Sequence, residues 1–312
     1  MGVRSFVKNA CILGLAAGGS QAIRIIQSND DGWAEMNIRV FHDALIQADH
    51  DAVVSAPAEN MSGQGSSDED PAPRTDACEY DSCPANTNLA YSSNATSPRL
   101  NWVNSYPATS MRYGLDTITP ALWANAPAEL AVTGPNVGSN LAVQGPFSGT
   151  VGAACYAVEQ AGIPAIAFSG LSDQDLGLQG GNAAWNTTPV PTNSLVFADL
   201  ALNLTTRLIA SGAPYLPNGT YLNVNFAAVT ATSCTSASAY QWVFTRVYPD
   251  LLADDIELCG SDTLPQETTV VHSDDGCYVS VSAASCSDKG TASKEVQQAV
   301  YDKIGDMFVC KP

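Results

Sequence analysis

The chain has 312 residues, 45% apolar and 14% charged, which suits one large globular domain, with or without an extension, and a sizeable core. A formal charge of −18 repels polyanions, so nucleic acid polymers and anionic membranes are excluded as main partners. A small phosphate ester bound through a cation stays compatible with that field, as does plain solubility in an acidic medium. Residues 1–22 read as a secretory signal peptide: Arg4 and Lys8 form a positive start, 10–19 is a short apolar run, and small residues end at Ala22. The run is too short for a spanning helix, which needs about 20 apolar residues. Cleavage after Ala22 takes Arg4 and Lys8 and no acid, leaving −18 − 2 = −20 on a secreted mature chain. Nine cysteines become eight once Cys11 leaves, an even count that predicts disulfides in an oxidising compartment. Cys78 and Cys83 are close enough to close a small loop; the pairing of the other six stays open. Structural zinc ranks well below disulfides, because there is no Cys-x-x-Cys and only His42, His50 and His272 are available. Glycan acceptor motifs occur at Asn60, Asn94, Asn186, Asn203 and Asn218.

Residues 23–27 predict a strand. Ile38, Phe41, Ala44, Leu45 and Ala48 then recur at helical spacing, giving a helix over 37–49, and 52–55 predicts a second strand. Strand, helix and strand with short connections form a βαβ unit, and hence an α/β fold with a mostly parallel, doubly wound sheet. Residues 65–106 break the pattern: acids, prolines, Asn and Ser without periodicity, plus Cys78 and Cys83, read as a long insertion. Helix 110–117, strand 129–133, a Gly-rich loop, helix 149–161, strand 165–168 and helix 195–211 follow. Strand candidates at 221–226, 241–247 and 277–283 give a β-rich extension over about 219–290. A last helix carries Val296, Val300, Ile304 and Met307 on one face.

The chemistry concentrates in loops after strands. Ser28-Asn29-Asp30-Asp31-Gly32 follows the first, Ala56-Pro57-Ala58-Glu59-Asn60-Met61-Ser62-Gly63 the second, and Gly134-Pro135-Asn136-Val137-Gly138-Ser139-Asn140-Leu141 the strand at 129–133. Asn-Asp-Asp-Gly alone is also ordinary turn chemistry. In a parallel sheet, however, all three loops leave one edge, where ligands bind. Two carboxylates, a hydroxyl and an amide oxygen there suit a hard divalent cation. Ser148-Gly149-Thr150-Val151 opens the next helix and reads either as an N-cap or as an anion site made by free amides and the helix dipole. A dinucleotide fold is rejected, since the first turn lacks Gly-x-Gly-x-x-Gly and two acids would repel a pyrophosphate. No Gly-x-Ser-x-Gly elbow or histidine triad supports a serine hydrolase.

Four segments in register carry a resemblance: Ser-Asn-Asp-Asp-Gly, Ala-Pro-(x)2-Asn-Met-Ser-Gly, Thr-Gly-Pro-Asn-Val-Gly-Ser-Asn-Leu and Phe-Ser-Gly-Thr-Val-Gly-Ala-Ala. Together they resemble the SurE family of phosphatases and 5′/3′-nucleotidases, in its secreted, acid-phosphatase-like branch. The resemblance implies a Rossmann-like core with a C-terminal hairpin extension used for homodimer formation, and hydrolysis of phosphomonoesters, nucleoside monophosphates among them, with magnesium or manganese. By position it implies metal ligation by Asp30, Asp31, Ser62 and Asn136. Asn29, Gly32, Gly63, Asn140, Ser148, Gly149 and Thr150 fall in the phosphate pocket. Asp30, Asp31, Asn140, Ser148 and Thr150 are the catalytic candidates, the last three stabilising charge on the transferred phosphoryl group. One departure stands out: many members carry histidine where this chain has Ser66. The competing reading is a secreted, non-catalytic binding protein on the same fold. Trp102, Tyr106, Trp123 and Trp185 are either stacking platforms for a base or sugar, or core aromatics.

Overall fold

The computed structural model describes residues 22–172, 181–249 and 254–311. The signal peptide expected over 1–22 lies outside them apart from Ala22. β1 (Arg24–Ser28) buries every residue after Arg24, on both faces, the pattern of a parallel strand covered by helices on each side. α1 (Met36–Gln47) and β2 (Asp51–Pro57) complete the first βαβ unit, with Ile26 opposite Val53 in parallel register. β3 (Tyr91–Asn94) and β4 (Ser97–Val103) follow, then α2 (Pro107–Tyr113) and α3 (Thr119–Leu122). β5 (Leu130–Val137), α4 (Gly149–Ala161), β6 (Ala165–Gly170), α5 (Thr192–Ala210) and β7 (Thr220–Phe226) continue the winding. β8 (Tyr240–Thr245), α6 (Glu267–Val271), β9 (Cys277–Ser285) and α7 (Lys294–Ile304) close the described chain.

One sheet results, in the order β3-β4-β2-β1-β5-β6-β7-β9-β8. Its six strands from β4 to β7 are parallel, while β3 and β9 run antiparallel to β4 and β7. Adjacent residues of β1 serve opposite faces. Ile25 joins Phe41, Leu45, Phe168 and Phe197 under α1 and α5, whereas Ile26 joins Met111, Val151 and Ala154 under α2 and α4. Each large side chain so buried contributes about 1.5–3 kcal/mol, and ring pairs such as Phe41–Phe168 at 5.5 Å fix the helix positions further.

Two differences from the sequence reading bear on the site. The segment read as an irregular insertion, 65–106, supplies β3 and β4, with β4 pairing parallel to β2 (Val54 opposite Leu100, Pro57 opposite Val103). Pro98, Arg99 and Asn101 mask its apolar positions, and only docking against β2 buries Trp102 and Val103. The strand expected at 129–133 extends to Val137 through a bulge between Thr133 and Asn136, so Asn136 sits in the sheet opposite Ser169. The C-terminal third is β-rich as expected. β8 lies parallel to β9, however, so a crossover rather than a tight turn joins them.

All eight expected cysteines are paired, as Cys78–Cys83, Cys155–Cys286, Cys234–Cys277 and Cys259–Cys310. Among the described residues no helix is long and apolar enough to cross a membrane. Asn60, Asn186, Asn203 and Asn218 are exposed and Asn94 is half-buried.

Candidate active site

β1, β2 and β5 are parallel neighbours, so the turns that leave them emerge on one edge. The turn after β1 is shaped by Asn29, whose Nδ2 donates to the Gly32 carbonyl (2.9 Å), and by Gly32 itself at φ +107°, a conformation that favours glycine. Asp30 turns toward α4: its Oδ1 accepts from Thr150 Oγ1 at 2.5 Å and its Oδ2 from the Gly149 amide at 3.1 Å. Asp31 turns toward β5, where its Oδ2 accepts from the Val137 amide at 2.8 Å. The loop after β2 is tied down by the Met61 amide, which donates to the Asp30 carbonyl at 2.6 Å. Asp30, Asp31, Gly149, Thr150 and the Asn136–Val137 strand end are thus joined directly.

The other expected residues stand further back. Ser62 and Gly63 follow Met61 and are exposed, with the Ser62 amide held by Asn60 Oδ1 at 2.9 Å. Ser148 is the N-cap of α4, its Oγ accepting from the Val151 amide at 3.1 Å. Asn140 is fixed by a polar network: its amide donates to Asn225 Oδ1 (2.8 Å), its Nδ2 to Ser169 Oγ (2.7 Å), and its carbonyl accepts from Asn223 Nδ2 (2.9 Å). Beneath it, buried Glu267 accepts from Asn223, Ser282 and the Ala142 amide.

The electrostatics of the pair call for a cation. Asp30 and Asp31 are 2% and 1% exposed. Burial pushes the Asp30 carboxyl up, and burial, then the charge of Asp30, pushes Asp31 to about 8. Buried atoms without hydrogen-bond partners gather on the same edge, among them Asn29 Oδ1, Glu35 Oε1 and Asn136 Oδ1. The unpaired amide oxygens of Asn29 and Asn136 beside two desolvated carboxylates fit a hard divalent ion. Among the described residues no group of three His, Cys, Asp or Glu is placed to hold a metal, so such an ion would depend on Asp30, Asp31, Asn136, Ser62 and water.

Sequence reasoning missed several participants. Asn182 Nδ2 donates to Asp31 Oδ1 at 3.1 Å from 151 residues away, and no local pattern announces it. Glu35 caps α1 through the Asn37 amide (2.6 Å) and is fully buried; burial and the Asp31 charge hold it well above the usual carboxylate range. An acid directly before a helix was the available signal. Glu79 reaches the turn from the Cys78–Cys83 loop: a Cβ placed on Gly32 would come 2.5 Å from its Oε2. Of the candidate aromatics, Trp102 and Trp123 are core residues, and the exposed Trp185 is engaged with Arg39, 5.5 Å from its ring. The histidines bond backbone: His42 to Ala52, His50 to Ile23 and His272 to Thr268.

The family model described as survival protein SurE matches residues 25–248. An acid phosphatase of Yarrowia lipolytica is 31% identical over 294 residues, covering 84% of this chain and 78% of that protein. A 5′-nucleotidase SurE of Nostoc sp. is 33% identical over 151 residues, 47% of this chain and 49% of its own length. The crystal structure of the SurE protein from Aquifex aeolicus superimposes with a TM-score of 0.53 at 22% identity, covering 89% of this chain and 98% of that one, which speaks to the fold alone. With a family match running from β1 past β8, over more than half of its length, the chain belongs to the SurE family.

Proposed function

We propose that this chain is a secreted phosphomonoester hydrolase that depends on a divalent cation, magnesium or manganese, and acts on nucleoside monophosphates or simple phosphate esters. The observation that carries the reading is the buried Asp30–Asp31 pair, Asp30 bonded to the first turn of α4 and Asp31 to the end of β5, beside the unpartnered Asn136 Oδ1. The names of the acid phosphatase and nucleotidase relatives support the same chemistry. Secretion is supported by the leader-like pattern of charge and apolar residues over 1–22 and by four disulfides.

When bound by Asp30, Asp31, Ser62 and Asn136, the cation supplies neutralisation of phosphate charge and a more acidic water. The protein's own contribution is preorganisation. Ser148 caps α4 and directs its amino-terminal dipole at the place where the phosphoryl group would sit. Thr150 and the Gly149 amide hold Asp30 in one orientation, so no reorganisation accompanies the reaction. Asn140, locked by Asn225, Ser169 and Asn223, offers a fixed amide toward the equatorial oxygens.

Phosphate release from a panel of nucleoside monophosphates and simple monoesters at pH 4–8, with magnesium, manganese or chelator, tests the proposal. Chelator-sensitive release is expected. No release with either metal would overturn it in favour of a binding protein.

A further inference from the structure

The Cys78–Cys83 loop belongs to the segment read as an insertion, and the reaction chemistry above makes no use of it. The loop is nonetheless built onto the site. Its two cysteines are 3% and 4% exposed and pack with Trp33, which follows Asp31 and Gly32, and with Trp102 of β4. The Glu79 amide donates to the Ala58 carbonyl (3.1 Å), seating the loop on the turn after β2. Arg74 braces it from outside, bonding Asn104 Oδ1 at 2.9 Å, the Ala77 carbonyl and the Glu59 carboxylate. That cation is therefore committed and does not offset acids in the loop.

What the loop presents is specific. Glu79 Oε2 lies buried over Gly32, and the Glu79 carboxylate accepts from the Tyr80 hydroxyl and the Asn60 amide. Tyr80 and Asp81 are held at φ +57° and +53°, a left-handed conformation that short disulfide closure imposes, and Tyr80 is 36% exposed. Burial first, then the charges of Glu79 and Glu35 and a hydrogen bond to Glu79, raises the Tyr80 hydroxyl. A substrate's phosphate would be drawn to the cation and α4, and this aromatic and anionic loop stands beside that place, over Gly32.

We propose that the Cys78–Cys83 loop is the outer wall of the leaving-group site, and that its Glu79 admits uncharged alcohol groups while rejecting those that carry a second anionic group. This rests on the phosphomonoesterase reading. A fixed carboxylate in a poorly hydrated wall repels a second charge more strongly than water-exposed acids do, and salt screens that repulsion.

The test compares phenyl phosphate with 4-carboxyphenyl phosphate, which share a scaffold and differ by one charge on the leaving group. Wild type should prefer phenyl phosphate. In Glu79→Gln the ratio of the two kcat/KM values should shift about tenfold toward the carboxylated ester, with a smaller shift in 0.5 M salt; Glu79→Asp should retain the wild-type preference. The double variant Cys78→Ser/Cys83→Ser, which frees the loop, should lose the preference too. A Glu79→Gln ratio equal to wild type, with both esters hydrolysed, overturns the proposal. Wild type that shows no preference for phenyl phosphate, or that hydrolyses nucleoside monophosphates but neither aryl ester, also overturns the gate; release from none of these substrates fells the phosphatase reading itself.

Discussion

Gly152 is where the loop after β2 meets α4, and replacing it separates the two. A Cβ at this position would lie 2.0 Å from the Gly65 carbonyl oxygen and 2.7 Å from its carbon, both backbone atoms. Ordinary contact distances begin more than about 1 Å further out, so either the helix or the loop must shift by that amount. Gly65 has little room to yield: it is buried at φ +58°, and its amide donates to the Phe147 carbonyl at 2.9 Å. Gly→Ala inside a helix ordinarily stabilises by about 0.5–1 kcal/mol, whereas overpacking against fixed backbone costs about 1–3 kcal/mol. The second effect wins, leaving a net destabilisation of about 1–2 kcal/mol, or roughly 2–3 °C in Tm for a chain of this length. Activity should fall further than stability, because the displaced segment begins two residues after Gly63 and its neighbour Ser62. Thermal unfolding of Gly152→Ala with disulfides intact, beside kcat/KM with saturating metal, measures both. An unchanged or raised Tm with wild-type activity would refute the packing argument.

Thr150→Val removes the hydroxyl that donates to Asp30 while keeping shape, and hydrogen bonds to charged groups are worth about 1.5–3 kcal/mol. A loss of about 10- to 100-fold in kcat/KM is expected with little change in KM, and steady-state kinetics decide it. Asp31→Asn removes one of two adjacent buried carboxylates, so activity should nearly vanish while the metal-free protein melts higher, by about 1.5–2 °C for each kcal/mol recovered. Unfolding in chelator that gives a lower Tm would contradict this. Glu267 is held at about 8 in the folded protein, chiefly by burial, against an ordinary 4.5. Unfolding between those values releases a proton, so its contribution is complete below about pH 4.5 and is lost as pH rises to about 8, at up to about 1.4 kcal/mol per unit. Denaturant unfolding of Glu267→Gln at pH 5 and 7.5 should show a shallower loss of stability than wild type; an equal slope would show that Glu267 does not titrate in this window.

Amino-acid order alone determined the parallel core and most of the candidate site. Apolar runs at β1 and β6, and the helical spacing of Ile38, Phe41 and Leu45, are local signals that burial on a doubly covered sheet requires. Asp30, Asp31 and Thr150 were legible because strand ends and helix starts carry their own chemistry, and parallel strands deliver them to one edge. Other features had no local signature. β4 is a strand only because β2 offers it hydrogen bonds and buries Trp102. Asn136 sits in the sheet because a bulge carries β5 past its predicted end. Asn182, Glu79 and the network of Asn140, Asn223, Asn225 and Glu267 meet the site across separations of up to 151 residues. The pairing of Cys155, Cys234, Cys259, Cys277, Cys286 and Cys310 likewise depends on which Cα atoms the folded sheet brings within about 6 Å. Short-range preference writes strands, helices and turns into the sequence, while which distant polar groups share a buried space is decided only when the sheet is assembled.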